Sequence, residues 1–199
     1  MSQLAIIDSG GANITSLLSA LERLGVEAEL TADADAIQGS GRVILPGVGA
    51  ARDAMSRLHK AGLVDVIRNL TQPVLGICLG MQLLCERSEE DHVECLGIIP
   101  GTARKMTVAD AFPVPNMGWC PTTQYASHPL LDGVQDGSHF YYVHSYALDV
   151  SKYTIATANH ADTFSAMLGK DNFAAAQFHP ERSSKAGARI LANFLEWTP

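Results

Sequence analysis

The segment Val74-Leu75-Gly76-Ile77-Cys78-Leu79-Gly80-Met81-Gln82 admits few structures. It reads as a buried strand, a tight turn flanked by glycine on both sides, and then a helix. This G-x-C-x-G layout is the nucleophile elbow, with cysteine where serine is commoner. An elbow projects the sulfur beyond the strand's carboxyl end and sets it at a helix N-terminus, where partial positive charge favours thiolate over thiol. A cysteine so placed, with a base in reach, has the layout of a covalent catalyst.

A buried strand needs neighbours, and the first half of the chain supplies them. Residues 4–7 are a short apolar strand, and Asp8-Ser9-Gly10-Gly11-Ala12-Asn13 is a turn. Ile14, Leu17, Leu18, Leu21 and Leu24 then mark one face of a helix that ends at Gly25. Residues 26–30 alternate and predict a more exposed strand. Residues 43–45 form a third strand, closed by Pro46-Gly47-Val48-Gly49, and helical sequence fills about 50–70. Strands alternating with helices imply crossover connections and a sheet covered on both faces. From about 98 to 180 the pattern changes to short strands, at 102–106, 140–146, 154–158, 164–168 and 173–178. A last helix carries Ala188, Ile190, Leu191, Phe194 and Leu195. The expected fold is therefore α/β, a mostly parallel central sheet flanked by helices with an antiparallel extension. No linker or charge run interrupts it, so residues 1–199 are expected to form one domain. Ligands in such sheets bind beyond the strands' carboxyl ends, where Asp8, Gly47 and Cys78 all fall.

Composition limits what Cys78 can serve. A net charge of −7 with no block of Lys or Arg argues against a nucleic-acid or anionic-membrane surface. The N-terminus lacks the basic start of a signal peptide, and no apolar run approaches the ~18 residues that span a bilayer. A cytoplasmic location is expected. The four cysteines include no C-x-x-C pair, so neither a metal site nor a disulfide framework is expected. Cys85, two helical turns after Cys78 in an apolar stripe, reads as core, as do Cys95 and Cys120.

The partner for Cys78 comes late, in Gln177-Phe178-His179-Pro180-Glu181. In an extended backbone positions i and i+2 face one side, and Pro180 pushes His179 toward that geometry. Glu181 then accepts from one imidazole nitrogen and leaves the other for the sulfur. Alone, His-Pro-Glu is equally compatible with a surface turn; the elbow favours the triad. Pro46-Gly47-Val48-Gly49 is either an ordinary strand-to-helix turn or a loop that aims an amide at an oxyanion, with the Leu79 amide as the other natural donor. Asp8-Ser9-Gly10-Gly11 lacks a phosphate-loop pattern and reads as a structural turn.

These residues resemble the class I (triad) glutamine amidotransferases over essentially the whole chain. Leu45-Pro46-Gly47-Val48-Gly49-Ala50, Asn116-Met117-Gly118-Trp119, Tyr141-Tyr142-Val143-His144-Ser145-Tyr146 and Gln177-Phe178-His179-Pro180-Glu181-Arg182-Ser183 are, within that group, similar to the glutaminase subunits of imidazole glycerol phosphate synthase. Two departures stand out: Ser9-Gly10-Gly11-Ala12-Asn13 replaces the family's Tyr-Gly-x-Gly-Asn, and Cys120 replaces an Asn.

The resemblance implies that Cys78 attacks the carboxamide of glutamine and that Val48 (after a peptide flip) and Leu79 amides hold the oxyanion. His179 carries the proton, oriented by Glu181. Gly47, Gly49, Gln82, His144, Ser145 and Tyr146 would bind glutamine. No metal or cofactor is implied. Ammonia would pass to a (β/α)₈-barrel cyclase subunit in a 1:1 heterodimer, which makes imidazole glycerol phosphate and an aminoimidazole carboxamide ribotide. Trp119 and Tyr141 match interface positions, although by residue type either could fill a core. The rivals are an amidotransferase of another pathway, which the Met117-Gly118-Trp119 segment speaks against, a peptidase-like hydrolase, and a binding module that only holds a partner. An electrophilic glutamine analogue is expected to label one cysteine. Mass spectrometry placing the label on Cys85, Cys95 or Cys120 instead of Cys78 would overturn the elbow argument.

Overall fold

The computed structural model describes residues 4–10 and 14–199, so part of the first glycine turn, residues 11–13, lies outside the described residues. The N-terminal half contains β1 (Ala5–Ile7), α1 (Ile14–Arg23), β2 (Glu29–Thr31), α2 (Ala34–Gly39), β3 (Val43–Gly47), α3 (Ala51–Lys60), α4 (Leu63–Arg68), β4 (Val74–Cys78) and α5 (Leu79–Leu84). There follow β5 (Cys85–Ser88), β6 (Val93–Glu94), β7 (Ile99–Lys105), β8 (Asn116–Gln124), β9 (His139–His144) and β10 (Tyr146–Leu148). The chain then adds β11 (Thr154–His160), β12 (Asp162–Lys170), β13 (Phe173–Ala176) and α6 (Ser184–Glu196).

The main sheet runs β2-β1-β3-β4-β13-β12-β11-β8-β9, and a smaller one runs β10-β7-β5-β6. Neighbours from β2 to β13 pair in parallel, and from β13 to β9 they pair antiparallel. The expected parallel core with an antiparallel extension is thus present. β1 shows why its sequence is apolar throughout. Ile6 joins the core formed with Leu17 and Leu21 of α1 and Leu191 and Phe194 of α6. Ile7 joins the other core, with Met55 and Leu58 of α3 and Ile67 of α4. Side chains alternate between faces, and both faces are covered, so no position is left for a polar residue.

Several boundaries differ from the periodicity. The helical stretch at 50–70 is two helices, broken where Gly62 adopts φ 69°. Helix α2 carries few apolar residues and is started by Asp33, whose carboxylate accepts from the Ala36 amide at 2.8 Å. The stretch at 140–146 divides at Ser145 between β9 of the main sheet and β10 of the smaller one. β8 is half-exposed and begins in the Asn-Met-Gly-Trp segment, which periodicity does not mark as a strand. Cys85 does not lie on a helical stripe, because α5 stops at Leu84 and Cys85 opens β5; it is still fully buried.

Glycine sets the elbow for packing reasons. A Cβ on Gly80 would stand 1.8 Å from the Leu45 carbonyl oxygen of β3, and one on Gly76 would stand 2.8 Å from Leu84 Cδ1. The helix therefore leaves the sheet edge at a distance that no larger residue tolerates. Gly80→Ala must push α5 off β3. Overpacking typically costs ~1–3 kcal/mol, and a backbone clash belongs at or above the top of that range. Chemical denaturation is expected to show a loss of this size; an unchanged midpoint would refute the packing account.

Candidate active site

Cys78 adopts φ 54°, ψ −112°, a sparsely populated conformation that costs a non-glycine residue roughly 1–3 kcal/mol. The strand pairing of β4 with β3 and β13 on one side and the close seat of α5 on the other hold it there. Its side chain is nearly buried, and Sγ lies 3.8 Å from the Val143 carbonyl oxygen. The Leu79 amide opens α5 directly after it.

His179 comes from the far side of the same edge, just beyond β13, the parallel neighbour of β4. Its Nδ1 is 2.8 Å from Glu181 Oε1, and both side chains are buried. The pair forms for a different reason from the one expected. His179 is extended (φ −97°, ψ 97°), but Pro180–Arg182 is one turn of 3₁₀ helix, and this turn brings Glu181 back to the ring. Ser183 Oγ caps the arrangement: it donates to the His179 carbonyl at 2.6 Å and accepts from the Tyr141 amide at 2.9 Å.

The second ring nitrogen, Nε2, is buried without a hydrogen-bond partner. Burial disfavours the imidazolium, but hydrogen-bonding and charge interactions with Cys78 and Glu181 outweigh it and raise the ring to about 10. Glu181 acts through the formed bond, whereas Cys78 faces an Nε2 that is not yet bonded to anything. The arrangement favours the protonated ring beside the sulfur. The other cysteines contrast with it. Burial pushes the Cys85 and Cys120 thiols up, and burial with Glu94 raises Cys95 to about 11. Inert thiols result.

A cavity of about 230 Å³ opens on Cys78. That is below the range of drug-sized sites and suits one small molecule. Of the residues singled out from sequence, Val48, Gly49, Leu79, Gln82, His144, Ser145 and Tyr146 line it, and Gly49 holds φ 86°. Gly47 does not. It borders a second cavity of about 100 Å³ with His179 and Glu181, and a Cβ there would meet Leu79 Cβ at 3.0 Å. Gly47 thus gives α5 room and does not face the main cavity.

His144 is spent within the protein. Its Nδ1 donates to the Tyr146 carbonyl at 2.9 Å, and its Nε2 accepts from Asn116 Nδ2 at 3.1 Å. Burial lowers the ring to about 4, so it is neutral and acts as a strut. Gln82 Nε2 donates to the same Tyr146 carbonyl at 3.1 Å and to Gln177 Oε1 at 3.2 Å. What Gln82 has left to offer is its carbonyl oxygen. Glu90 and Pro115 also line the cavity and were not singled out from sequence. Glu90 sits in a short 3₁₀ turn, and its Oε2 accepts from the Ala51 amide at the start of α3 at 3.0 Å. Nothing in its local sequence marks it; only the fold brings it to Cys78. Among the described residues no group of acidic, His or Cys side chains is placed to hold a metal ion.

An aromatic face adjoins the site. Trp119 is 53% exposed, with Met117 beside it on β8 at 65%. Trp119 meets Tyr141 edge-on at 6.1 Å, and the Arg182 guanidinium lies 4.4 Å over the Tyr141 ring. The Tyr141 carbonyl accepts from the His179 amide at 2.9 Å, so this face is tied directly to the turn that carries His179 and Glu181.

Comparison with known proteins gives a consistent picture. The family model "Glutamine amidotransferase class-I" matches residues 5–197. The chain is 52% identical over 196 residues, 98% of each chain, to imidazole glycerol phosphate synthase subunit HisH of Xanthomonas axonopodis pv. citri. It is 49% identical over the same share to the protein of that name in Xylella fastidiosa strain Temecula1. A solved glutamine amidotransferase superposes with TM-score 0.77 at 17% identity, covering 98% of both chains. Another, from Thermotoga maritima, superposes with TM-score 0.67 at 16% identity, covering 98% of this chain and 81% of that one.

The charge arrangement makes a prediction. Cys78→Ala removes the sulfur, which raises His179, and leaves burial, which lowers it, and Glu181, which raises it. The ring should titrate lower than in the unaltered protein when followed by NMR of its nitrogens. A titration unmoved by the substitution would show that the sulfur does not act on the ring.

Proposed function

Since the chain belongs to the class I glutamine amidotransferases and, within them, to the glutaminase subunits of imidazole glycerol phosphate synthase, we propose that Cys78, His179 and Glu181 are its catalytic triad and that the cavity beside Cys78 seats glutamine. The observation that carries this is the pairing at one sheet edge of a strained cysteine with a buried His179–Glu181 pair whose Nε2 is free.

The Cys78 thiolate attacks the carboxamide carbon, and the carbonyl oxygen becomes an oxyanion. The amides of Leu79 and Val48 receive it, the latter after a peptide reorientation that the neighbouring Gly49 permits. Loss of one such donor typically costs 10²–10³ in rate. His179 Nε2 gives its proton to the departing ammonia, which leaves a thioester. It then takes a proton from water, whose oxygen attacks the thioester carbon; glutamate leaves and the thiolate returns. Glu181 holds the ring tautomer throughout.

The seat has complementary polarity. Glu90 and the Gln82 carbonyl oxygen are acceptors for the α-ammonium group, and the 144–146 backbone borders the place for the α-carboxylate. His144 braces this strand and offers no free ring nitrogen. Gly47 serves the packing against α5.

Glutaminase subunits of this kind work in a complex with a cyclase. We assign the partner face to Trp119, Tyr141 and the neighbouring Met117 and Arg182. The cyclase is a (β/α)₈ barrel bound 1:1, the location is cytoplasmic, and ammonia is handed across this face. No helix among the described residues is long and apolar enough to cross a membrane.

A Cys78→Ala chain in complex with the cyclase should make no product from glutamine. It should regain synthesis with concentrated ammonium salt at alkaline pH, where free NH₃ is abundant. Absence of rescue would refute the division of labour, and residual glutamine-dependent synthesis would refute the role of Cys78.

A further inference from the structure

Gln177 lies one residue beyond β13, is fully buried, and has no part in the triad. Its Oε1 accepts from Gln82 Nε2 at 3.2 Å, and its Nε2 lies 4.0 Å from Cys78 Sγ. The direction of these bonds is forced. The Tyr146 carbonyl has no proton to give, so Gln82 turns Nε2 toward it at 3.1 Å, and the second proton of that nitrogen goes to Gln177. Gln177 then has only N–H groups left for the sulfur. The same carbonyl accepts from His144 Nδ1, whose other nitrogen takes the Asn116 amide. A buried chain of fixed polarity thus runs from Asn116 on β8 to the nucleophile, and no single link can reverse alone.

The sulfur's two protonation states want different neighbours. A thiol donates to the Val143 carbonyl oxygen, 3.8 Å away. A thiolate has no proton for that oxygen and is stabilised by donors. We propose that Gln177 is a positioning residue for the reaction: its amide, locked by Gln82, donates to the Cys78 thiolate and holds it in line for attack. Because Gln82 also lines the glutamine cavity, occupancy of the cavity and placement of the sulfur are linked through one side chain. The proposal rests on Cys78 being the nucleophile.

Gln177→Glu, when ionised, keeps the shape and the acceptor for Gln82 but replaces the donor toward sulfur by a negative charge, and Gln177→Met removes the donor without adding charge. Hydrogen bonds to charged groups contribute roughly 1.5–3 kcal/mol, so kcat should fall about tenfold or more with KM within about twofold. Alkylation of Cys78 by iodoacetamide should also shift to higher pH. The titratable groups already around the sulfur, His179 and Glu181 at the triad and Glu90, His144 and Tyr146 along the cavity, are joined in Gln177→Glu by the new carboxyl, whose charge alone would raise the thiol. The uncharged Gln177→Met must therefore show the alkylation shift as well. Gln177→Met, which loses both contacts, should show the same kcat loss and a raised KM. Wild-type kcat and an unshifted alkylation profile in Gln177→Glu would overturn the proposal. The unaltered protein provides a test that needs no variant to fold. The Gln177 side-chain amide resonances should move with the same pH midpoint as alkylation, and static resonances would equally overturn it. Mass spectrometry of the alkylated protein, with its glutaminase activity, tests Cys78 separately, so the two failures are distinguishable.

Discussion

The approach of Gly80 to the Leu45 carbonyl is the contact on which the rest of the site depends. It lets α5 leave the sheet immediately after Cys78 and puts the Leu79 amide beside the sulfur. The same seat excludes a side chain at Gly47, where a Cβ would press on Leu79. Strain at Cys78 is held because β4 is paired on both sides and buried on both faces, so the strand cannot relax without breaking a parallel ladder. A site on the edge of a central strand is rigid for that reason.

Around this point polarity is arranged by burial. His144 is kept neutral by burial, which outweighs the raising effect of its bond to the Tyr146 carbonyl. His179 is also buried, yet it is raised, because a carboxylate and a sulfur stand where His144 has a carbonyl and an amide. Two buried histidines are thus shifted in opposite directions, His144 down and His179 up. The neutral one fixes the Tyr146 carbonyl, which in turn orients Gln82.

The exposed aromatic face and the His179 turn share elements. Trp119 and Met117 point outward from β8, the strand whose first residue, Asn116, begins the buried hydrogen-bond chain. Tyr141 accepts from the His179 amide and shares Ser183 with it. This face therefore shares backbone with the turn that carries His179 and Glu181.

Much of this was legible in sequence. The elbow, the parallel core, and the late His-Pro-Glu are local patterns, and local patterns survive because backbone sterics and two-sided burial dictate them residue by residue. Sequence alone determined that Cys78 sits on an elbow at the carboxyl edge of a parallel sheet, and that His179 and Glu181 follow another strand. Only the tertiary structure decided that these two strands are neighbours, that Glu181 returns by a 3₁₀ turn, that Gly47 packs under α5, and that Glu90 and Gln177 reach the sulfur's surroundings. Those outcomes depend on strand order and on side-chain polarity closing across distant segments, and no spacing along the chain encodes either.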